Sequence, residues 1–232
     1  MRRRWIADEL DRDRAALTGQ HAAHLARVLR ARVGQEFDIA AGDRVRLGRV
    51  TSVGDDRVEF ELGAEVEAVP QSETTVVLAI FKFDRFEWAV EKCTELGAAR
   101  LVPLIARRTD AHLAHAALKR VERWRRIAHE AAQQSRRVAP PEISEPVRIK
   151  DALRLEATTR VILAETERQA SLKDFFLQDG SVALAIGPEG GWTEDELKMF
   201  ADAGWSSASL GSTILRAETA AIAALAIAQS AR

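Results

Sequence analysis

The chain has 232 residues, a formal net charge of −1, 47% hydrophobic and 30% charged residues, a composition that indicates a globular protein and excludes disorder. Its single cysteine, Cys93, excludes an intramolecular disulfide framework and a Cys-rich zinc module. Because no apolar run reaches the ~18 residues of a membrane span, and because Met1–Leu10 is charged, we expect a cytoplasmic protein.

The near-zero net charge hides a strongly basic segment. Residues 100–137 carry 10 basic and 3 acidic side chains, a net charge of +7, whereas residues 58–80 and 138–232 each carry −5. Such a patch can mark a polyanion partner in a chain that is neutral overall, and a solvated helix face is the alternative.

The first 70 residues predict a small β-barrel-like module. A helical turn at His24–Arg30 precedes three runs that alternate apolar and polar residues, with turn-forming residues between them. The predicted strands are Glu36–Ala40, Val45–Val53 and Arg57–Leu62. Short strands joined by tight turns are typical of barrels, and we expect this one to end at a linker near Pro70.

From Thr75 onward the pattern changes to strands alternating with helices. Between the apolar runs Thr75–Ile80 and Leu101–Ile105, Phe86, Val90, Cys93 and Leu96 recur at helical spacing, so a β-α-β unit with a buried parallel sheet is predicted. Cys93 lies on the inward stripe and is interpreted as a core residue. Further strands are predicted at Val161–Ala164 and Val182–Ile186, and helices at 113–135 and Ala217–Gln229.

The segment IGPEGGW, Ile186–Trp192, is the first candidate for chemistry. Three glycines and a proline follow an apolar strand, and Thr193 with Glu196 forms a capping box that begins a helix. This arrangement favours a ligand loop at a helix N-terminus over a simple tight turn. The segment matches neither G-x-G-x-x-G nor the P-loop, so it predicts neither nucleotide fold.

The segment LGSTILRAETA, Leu210–Ala220, is a second strand end that leads into a helix. Arg216 and Glu218 stand beside an otherwise apolar helix, where charges are costly unless they are paired or functional. The alternative is an ordinary pair at a helix start, with Glu218 favoured by the helix dipole.

The basic segment is predicted to be helical and to place Lys119, Arg123 and Arg126 on one face, which could follow a phosphate backbone. Trp124 is interpreted as a core residue. His112 and His115 have no third ligand in the pattern, so no metal site is predicted.

Four segments together resemble a known family. They are Phe81–Leu104, Gln133–Ile143, Ile186–Leu197 and Leu210–Leu225, and they resemble the RsmE-type methyltransferases of the SPOUT superfamily. The opening MRRRW and HLARVLRARVG are similar to the PUA-like barrel of that family. The pairing of IGPEGG with LG-x-x-ILR-x-ETA is the most specific part of the resemblance.

The resemblance implies an RNA-binding PUA-like β-barrel over residues 1–70 and a trefoil-knotted SPOUT α/β methyltransferase domain over 71–232. It also implies a homodimer that methylates N3 of a uridine in 16S ribosomal RNA, within the assembled small subunit, with S-adenosylmethionine as cofactor. The implied cofactor residues are Leu163, Glu165, Ile186, Gly187, Pro188, Glu189, Gly190, Gly191, Leu210, Gly211, Ile214, Leu215 and Arg216.

Catalysis of this reaction requires that uracil N3 lose its proton and be aligned with the methyl donor. Arg216 is the candidate for stabilising the uracil anion, and Glu189 or Glu218 for a base or an orienting partner. The expected RNA contacts are Lys82, Arg85, Arg108, Arg123, Arg126 and Arg137. The chain departs from the family pattern at Gln133, Val138, Ala139 and Thr213.

Two other functions remain open at this level. One is a SPOUT enzyme with a different target, such as the ribose 2′-oxygen. The other is a non-catalytic rRNA-binding assembly factor, although a pure binder would not need two paired glycine loops.

Overall fold

The computed structural model describes residues 3–42, 44–67, 72–176 and 180–231. These residues divide into two units: the described parts of Met1–Pro70 with Ala132–Pro140, and those of Gln71–Ala131 with Pro141–Arg232. The predicted linker at Pro70 and the predicted domain boundary lie outside the described residues. Residues 132–140 were predicted to belong to the second domain, but they pack with the first unit.

The first unit is a six-stranded sheet with the order β1-β4-β5-β6-β3-β2. All neighbours are antiparallel except β1 and β4. The elements are β1 (Arg4–Ile6), β2 (Glu9–Asp11), β3 (Arg14–Thr18), α1 (Gly19–Ala23), a π-helix (His24–Val28), β4 (Glu36–Ala41), β5 (Arg44–Val53) and β6 (Arg57–Val66). The three predicted strands are confirmed, and two short helices replace the single predicted turn.

The core of this unit explains why residues 132–140 belong to it. The main hydrophobic cluster of this unit includes Leu17, Leu25 and Phe60. A smaller cluster packs Ala132 and Val138 against strand residues, which are Ile6, Ala40 and Val45. Apolar burial therefore joins this segment to the first unit despite its distance in the sequence.

The second unit contains a seven-stranded parallel sheet with the order β10-β8-β7-β12-β11-β13, in which β9 also pairs with β8. Its strands are β7 (Thr74–Ala79), β8 (Arg100–Ile105), β9 (Glu142–Ile143), β10 (Val147–Arg148), β11 (Thr159–Leu163), β12 (Val182–Ile186) and β13 (Ser206–Ala208). Its helices are α2 (Phe83–Glu95), α3 (Ala111–Ala117), α4 (Val121–Gln134), α5 (Ile149–Ala152), α6 (Glu194–Asp202) and α7 (Ala217–Ser230). The predicted β-α-β unit, parallel sheet and final helix are confirmed.

The single long helix predicted over 113–135 is wrong. A 3₁₀ turn at Leu118–Arg120 separates α3 from α4, and Ala117, Val121 and Trp124 on its two sides are buried in the core. Lys119 consequently lies in this turn and outside the helix that carries Arg123.

Side chains of α2 and α7 fill one side of the parallel sheet. Cys93 and Trp124 are fully buried there, which confirms both as core residues. Burial raises the pKa of the Cys93 thiol to about 12, so the thiol is an inert core group. None of the helices in the described part of the chain has the length and apolar character that crossing a bilayer requires.

Candidate active site

A pocket of about 290 Å³ lies at the carboxyl ends of β11, β12 and β13. These three strands are neighbours in the sheet, with β11 in the middle. The loops that follow them supply the lining, and the first turn of α7 closes one side. The carboxyl edge of a parallel sheet is the usual ligand site of such folds.

The glycine-rich loop after β12 is held by local contacts. The Gly191 N–H donates to the Pro188 carbonyl at 2.8 Å, and Gly191 has φ +70°, which favours glycine. At Gly187 the backbone lies so close to the Trp192 indole that an added Cβ would be 3.0 Å from the ring. A side chain at this position would therefore require the Trp192 ring to move by a few tenths of an ångström.

Trp192 joins two of the pocket loops. Its Nε1–H donates to the Leu163 carbonyl at 2.9 Å, and its ring lines the pocket. The bond links the glycine loop to the end of β11. The sequence analysis did not assign Trp192 to the site, although its place directly after the Gly-Gly pair was a signal.

The capping box predicted at Thr193 and Glu196 is confirmed by both of its reciprocal bonds. Glu196 is fully buried, and its second oxygen accepts from the Arg107 backbone N–H at 2.7 Å. The carboxylate therefore fixes the start of α6, which directly follows the glycine loop, and connects it by a hydrogen bond to the loop after β8.

The third loop gives the pocket an apolar wall. Gly211 has φ +129°, and the Ser209 hydroxyl both accepts from the Gly211 N–H and donates to its carbonyl. Leu210, Ile214 and Leu215 line the cavity beyond this turn. An apolar wall with exposed backbone groups suits a flat heteroaromatic ligand with polar edges.

Four charged side chains line the pocket, namely Glu165, Arg168, Glu189 and Arg216. Arg216 is exposed at the N-terminus of α7, and no hydrogen bond or ion pair of its side chain is found among the described residues. The guanidinium can thus meet negative charge that arrives with a ligand.

Arg85 of α2 lies between the two candidate catalytic carboxylates. One of its nitrogens donates to Glu189 at 2.8 Å, and its Nε lies 3.9 Å from Glu218. The Glu218 side chain is 7% exposed, and its Oε2 is buried without a hydrogen-bond partner in the described structure. Burying a carboxylate is costly, and the Arg85 cation and the α7 N-terminus offset part of that cost.

The structure brings together all the predicted cofactor residues except Gly190, whose carbonyl instead accepts from Arg108. Glu189 and Arg216 line the pocket, whereas Glu218 lies behind its wall. Eight lining residues were not among the predicted cofactor residues: Ala164, Arg168, Trp192, Ala208, Ser209, Thr213, Ala217 and Ala220. Four of them, Trp192, Thr213, Ala217 and Ala220, lie inside the two candidate segments, and the other four lie within three positions of a predicted cofactor residue.

The predicted RNA contacts are dispersed. Lys82 is exposed at the N-cap of α2, and Arg123 donates to Glu87 at 2.7 Å. Arg126 is largely exposed and lies 4.0 Å from Glu130. Arg137 belongs to the first unit, where burial lowers its pKa. Arg85 and Arg108 contact the glycine loop, as described above.

His112 contacts Asp110 at 2.6 Å. Within the described residues, no three His, Cys, Asp or Glu side chains form a group that could hold a metal ion.

Comparison with known proteins gives these features a context. A family model described as an RNA methyltransferase domain matches residues 68–229, and one described as an RNA methyltransferase PUA domain matches 17–63. The ribosomal RNA small subunit methyltransferase E of Rickettsia conorii is 32% identical over 90% of this chain and 87% of its own length. The protein of the same name from Mycobacterium bovis is 35% identical over 91% and 84%.

A solved structure extends the likeness to the fold. The crystal structure of a ribosomal RNA small subunit methyltransferase E from Neisseria gonorrhoeae, bound to S-adenosyl methionine, superposes with a TM-score of 0.87 at 29% identity. It covers 99% of this chain and 98% of its own. The predicted α/β class with a PUA domain is confirmed, while the trefoil knot stays a prediction.

With the matched domain models and these relatives spanning nearly its full length, the chain belongs to the RNA methyltransferase family that contains the ribosomal RNA small subunit methyltransferase E proteins.

Proposed function

We propose that this enzyme transfers the methyl group of S-adenosylmethionine to N3 of a uridine in 16S ribosomal RNA. The pocket at the ends of β11, β12 and β13 carries the proposal, because the loops that form it contain nearly all the residues expected to hold this cofactor. The Neisseria gonorrhoeae relative of the same fold binds S-adenosyl methionine, which supports the assignment.

The donor set of the pocket fits the cofactor. Leu210, Ile214 and Leu215 offer an apolar wall for the adenine ring, and Glu165 and Arg168 offer opposite charges for an amino-acid group. When bound, S-adenosylmethionine supplies a methyl group on a positively charged sulfur. Gly187 and Gly191 line the cavity, where an added Cβ would lie 3.0 Å from the Trp192 ring and 3.1 Å from Glu165 Oε1.

The charged residues of the rim have distinct proposed tasks. The Arg216 guanidinium, permanently cationic, stabilises the negative charge that uracil acquires when N3 loses its proton. Glu189 accepts that proton or orients the base, and Arg85 holds its carboxylate in place at 2.8 Å. Glu218 acts through Arg85 as a positioning residue, because it does not line the pocket.

The partners belong to the proposal as well. We propose a cytoplasmic homodimer that acts on the assembled small subunit, on the strength of the family. The Ala-rich composition of α7 does not add support for the dimer, because Ala221, Ala224 and Leu225 are buried in the core of their own unit. The proposed RNA contacts are Lys82, Arg108, Arg126 and Arg137. Arg85 and Arg123 are already paired with carboxylates, so we expect them to contribute less to RNA binding.

Two measurements test the function. Calorimetry should show binding of S-adenosylmethionine, and its absence at millimolar ligand would contradict the enzyme assignment in favour of a non-catalytic binder. After incubation with unmethylated small subunits, mass spectrometry of nucleosides should show N3-methyluridine. Methylation of ribose 2′-oxygen instead would replace the proposed target while leaving the cofactor assignment intact.

A further inference from the structure

Three aromatic side chains connect the pocket to the interior of the second unit. Trp192, which lines the pocket, meets Phe200 of α6 with ring centroids 5.2 Å apart, and Phe200 meets Trp205 at 5.1 Å. Both contacts are edge-to-face, at 61° and 80°, a geometry that aromatic pairs prefer. All three residues are buried, and Phe200 is fully enclosed. We call Trp192, Phe200 and Trp205 the aromatic row.

The aromatic row spans the three strand ends that form the pocket. Trp192 lies in the loop after β12, and its Nε1–H donates to the Leu163 carbonyl at the end of β11 at 2.9 Å. Leu163 is the register partner of Ala208 at the end of β13. Trp205 directly precedes β13, so the row leads back to the strand with which Leu163 pairs. Side-chain and backbone contacts thus form a closed ring through β12, β11, β13 and α6.

The two tryptophans of the aromatic row differ in their polar groups. The Trp192 N–H has the Leu163 carbonyl as its acceptor, whereas the Trp205 Nε1 is buried and has no hydrogen-bond partner among the residues that the structure describes. The backbone holds Trp205 beside Phe200, because the Trp205 N–H donates to the Phe200 carbonyl at 3.0 Å. The hydrogen bond of the Trp192 side chain therefore connects the aromatic row to the pocket wall.

We infer that the aromatic row positions the methyl donor, because it holds the three pocket loops at a fixed separation through the hydrogen bond from Trp192 to Leu163. Trp192 and Phe200 are the positioning residues. The inference rests on the proposed function for its ligand. A pocket whose walls are fixed before the ligand arrives loses less conformational entropy on binding than one that must close around it. Packing and hydrogen bonds behind the lining residues provide this rigidity.

Trp192→Phe separates the hydrogen bond from the ring. It keeps an aromatic side chain beside Phe200 and removes the N–H that holds Leu163. We expect S-adenosylmethionine to bind about 3- to 10-fold more weakly in calorimetry, the range for one hydrogen bond. With unmethylated small subunits as acceptor, KM for the cofactor should rise by the same factor. The kcat at saturating cofactor should stay within about twofold, because the residues that face the uracil are unchanged.

Trp205→Phe is the matched control. It makes the same substitution at the other end of the aromatic row and removes an N–H for which the described residues provide no acceptor. Cofactor affinity and KM should be unchanged. Phe200→Leu removes the middle ring and should weaken cofactor binding as Trp192→Phe does. Phe60→Leu, at a buried edge-to-face pair with Phe37 in the first unit, should lower stability without changing cofactor affinity.

Amide hydrogen exchange of the ligand-free chain tests the aromatic row without the cofactor. The Ala164 N–H donates to the Ala208 carbonyl between the ends of β11 and β13, and the Gly191 N–H donates to the Pro188 carbonyl within the glycine loop. Trp192→Phe should speed the exchange of both amides relative to the parent chain and to Trp205→Phe. Amides of α7 should exchange at the parent rate, because the opening is local.

Three outcomes would overturn the inference. They are an unchanged cofactor affinity in Trp192→Phe, an equal loss in Trp205→Phe, which would show that the bond to Leu163 does not matter, and an equal loss in Phe60→Leu, which would show a general effect of stability. If the proposed function fails, the parent chain itself does not bind S-adenosylmethionine. Unchanged exchange at Ala164 and Gly191 would then still overturn the inference, and faster exchange would retain the aromatic row as the element that fixes these loops.

Discussion

The pocket and helix α4 both carry charged side chains, but they differ in how many of these side chains are paired within the fold. On α4, Arg123 donates to Glu87, Arg125 donates to Glu122, and Arg126 lies near Glu130. The hydrogen bond with Glu87 raises the pKa of Arg123. At the pocket, Arg216 has no partner among the described residues, and Glu218 behind the pocket wall has a buried oxygen without a hydrogen bond, whereas Glu189 is paired with Arg85.

This difference shows that the number of charges in a segment is a poor guide to function. The +7 of residues 100–137 already counts Glu122 and Glu130 of α4, and Glu87 of α2 neutralises part of the remainder through its ion pairs with Arg120 and Arg123. Groups that the fold leaves unsatisfied are better candidates, since their interactions are available to a substrate. Five measurements test this contrast between paired and available charges.

The largest effect should come from Arg216→Ala. Removing a cation that stabilises developing negative charge lowers turnover by about 10²–10³-fold, while S-adenosylmethionine affinity changes far less. Single-turnover kinetics and calorimetry separate the two quantities. Arg125→Ala on α4, where the arginine is paired with Glu122, is the matched control and should retain turnover. Equal turnover in both variants would remove Arg216 from the mechanism.

Arg85→Ala should rank second. Without the 2.8 Å bond, the Glu189 carboxylate loses its orientation, and we expect turnover about 10–10²-fold lower, the range of a disturbed acid–base group. Arg85→Lys should restore part of the activity. In a double-mutant cycle with Glu189→Gln, the two effects should be non-additive, and additive effects would show that the pair does not act together.

Gly187→Ala tests the packing of the glycine loop. The new Cβ would lie 3.0 Å from the Trp192 ring, so we expect about 1–3 kcal/mol of destabilisation and weaker cofactor binding. Gly190→Ala is the control, because its Cβ would face the flexible Arg108 side chain at 3.4 Å. Denaturant titration and calorimetry measure both. Equal effects at the two glycines would contradict the proposed role of Trp192.

Arg123→Gln/Arg126→Gln should have a small effect on RNA binding. Since Arg123 is paired with Glu87 and Arg126 alone stays a proposed contact, the salt slope should change by no more than the ~0.7 of one phosphate contact. Fluorescence anisotropy with transcribed 16S rRNA measures it. A change of the salt slope by about 1.4 or more would show that both arginines of α4 bind RNA despite their ion pairs. Pairing within the fold would then not distinguish α4 from the pocket.

The smallest expected effect concerns Glu167, beside the pocket residue Arg168. Its carboxylate accepts backbone N–H groups of Gln169, Ala170 and Arg168, which lower its pKa. Because the pKa is lowered in the folded chain, the ionised carboxylate stabilises the turn at pH values above the ordinary pKa of about 4.3. This stabilisation is lost as the pH falls through the pKa of the folded chain. Cofactor affinity of Glu167→Gln should be lower at neutral pH and approach that of the parent chain in acid. A constant ratio across pH would exclude this role.

Much of the fold could be predicted from local pattern. Thr75–Ile80 and Val182–Ile186 are apolar runs that only a sheet covered on both faces can bury, and Thr193 with Glu196 marks a helix start by its spacing alone. The 3₁₀ turn at Leu118–Arg120 was not predictable, because no glycine or proline marks it and the buried residues Ala117, Val121 and Trp124 keep the spacing of one helical face across it.

The parallel-sheet class, the two glycine loops and the resemblance that they carry could be predicted, because these depend on residues adjacent in the chain. Which charges are satisfied depends instead on the tertiary fold. Arg85 and Glu189 are 104 positions apart, and Arg123 and Glu87 are 36 apart. Whether a guanidinium is neutralised or available depends on contacts across such distances, and composition and local spacing contain no information about them.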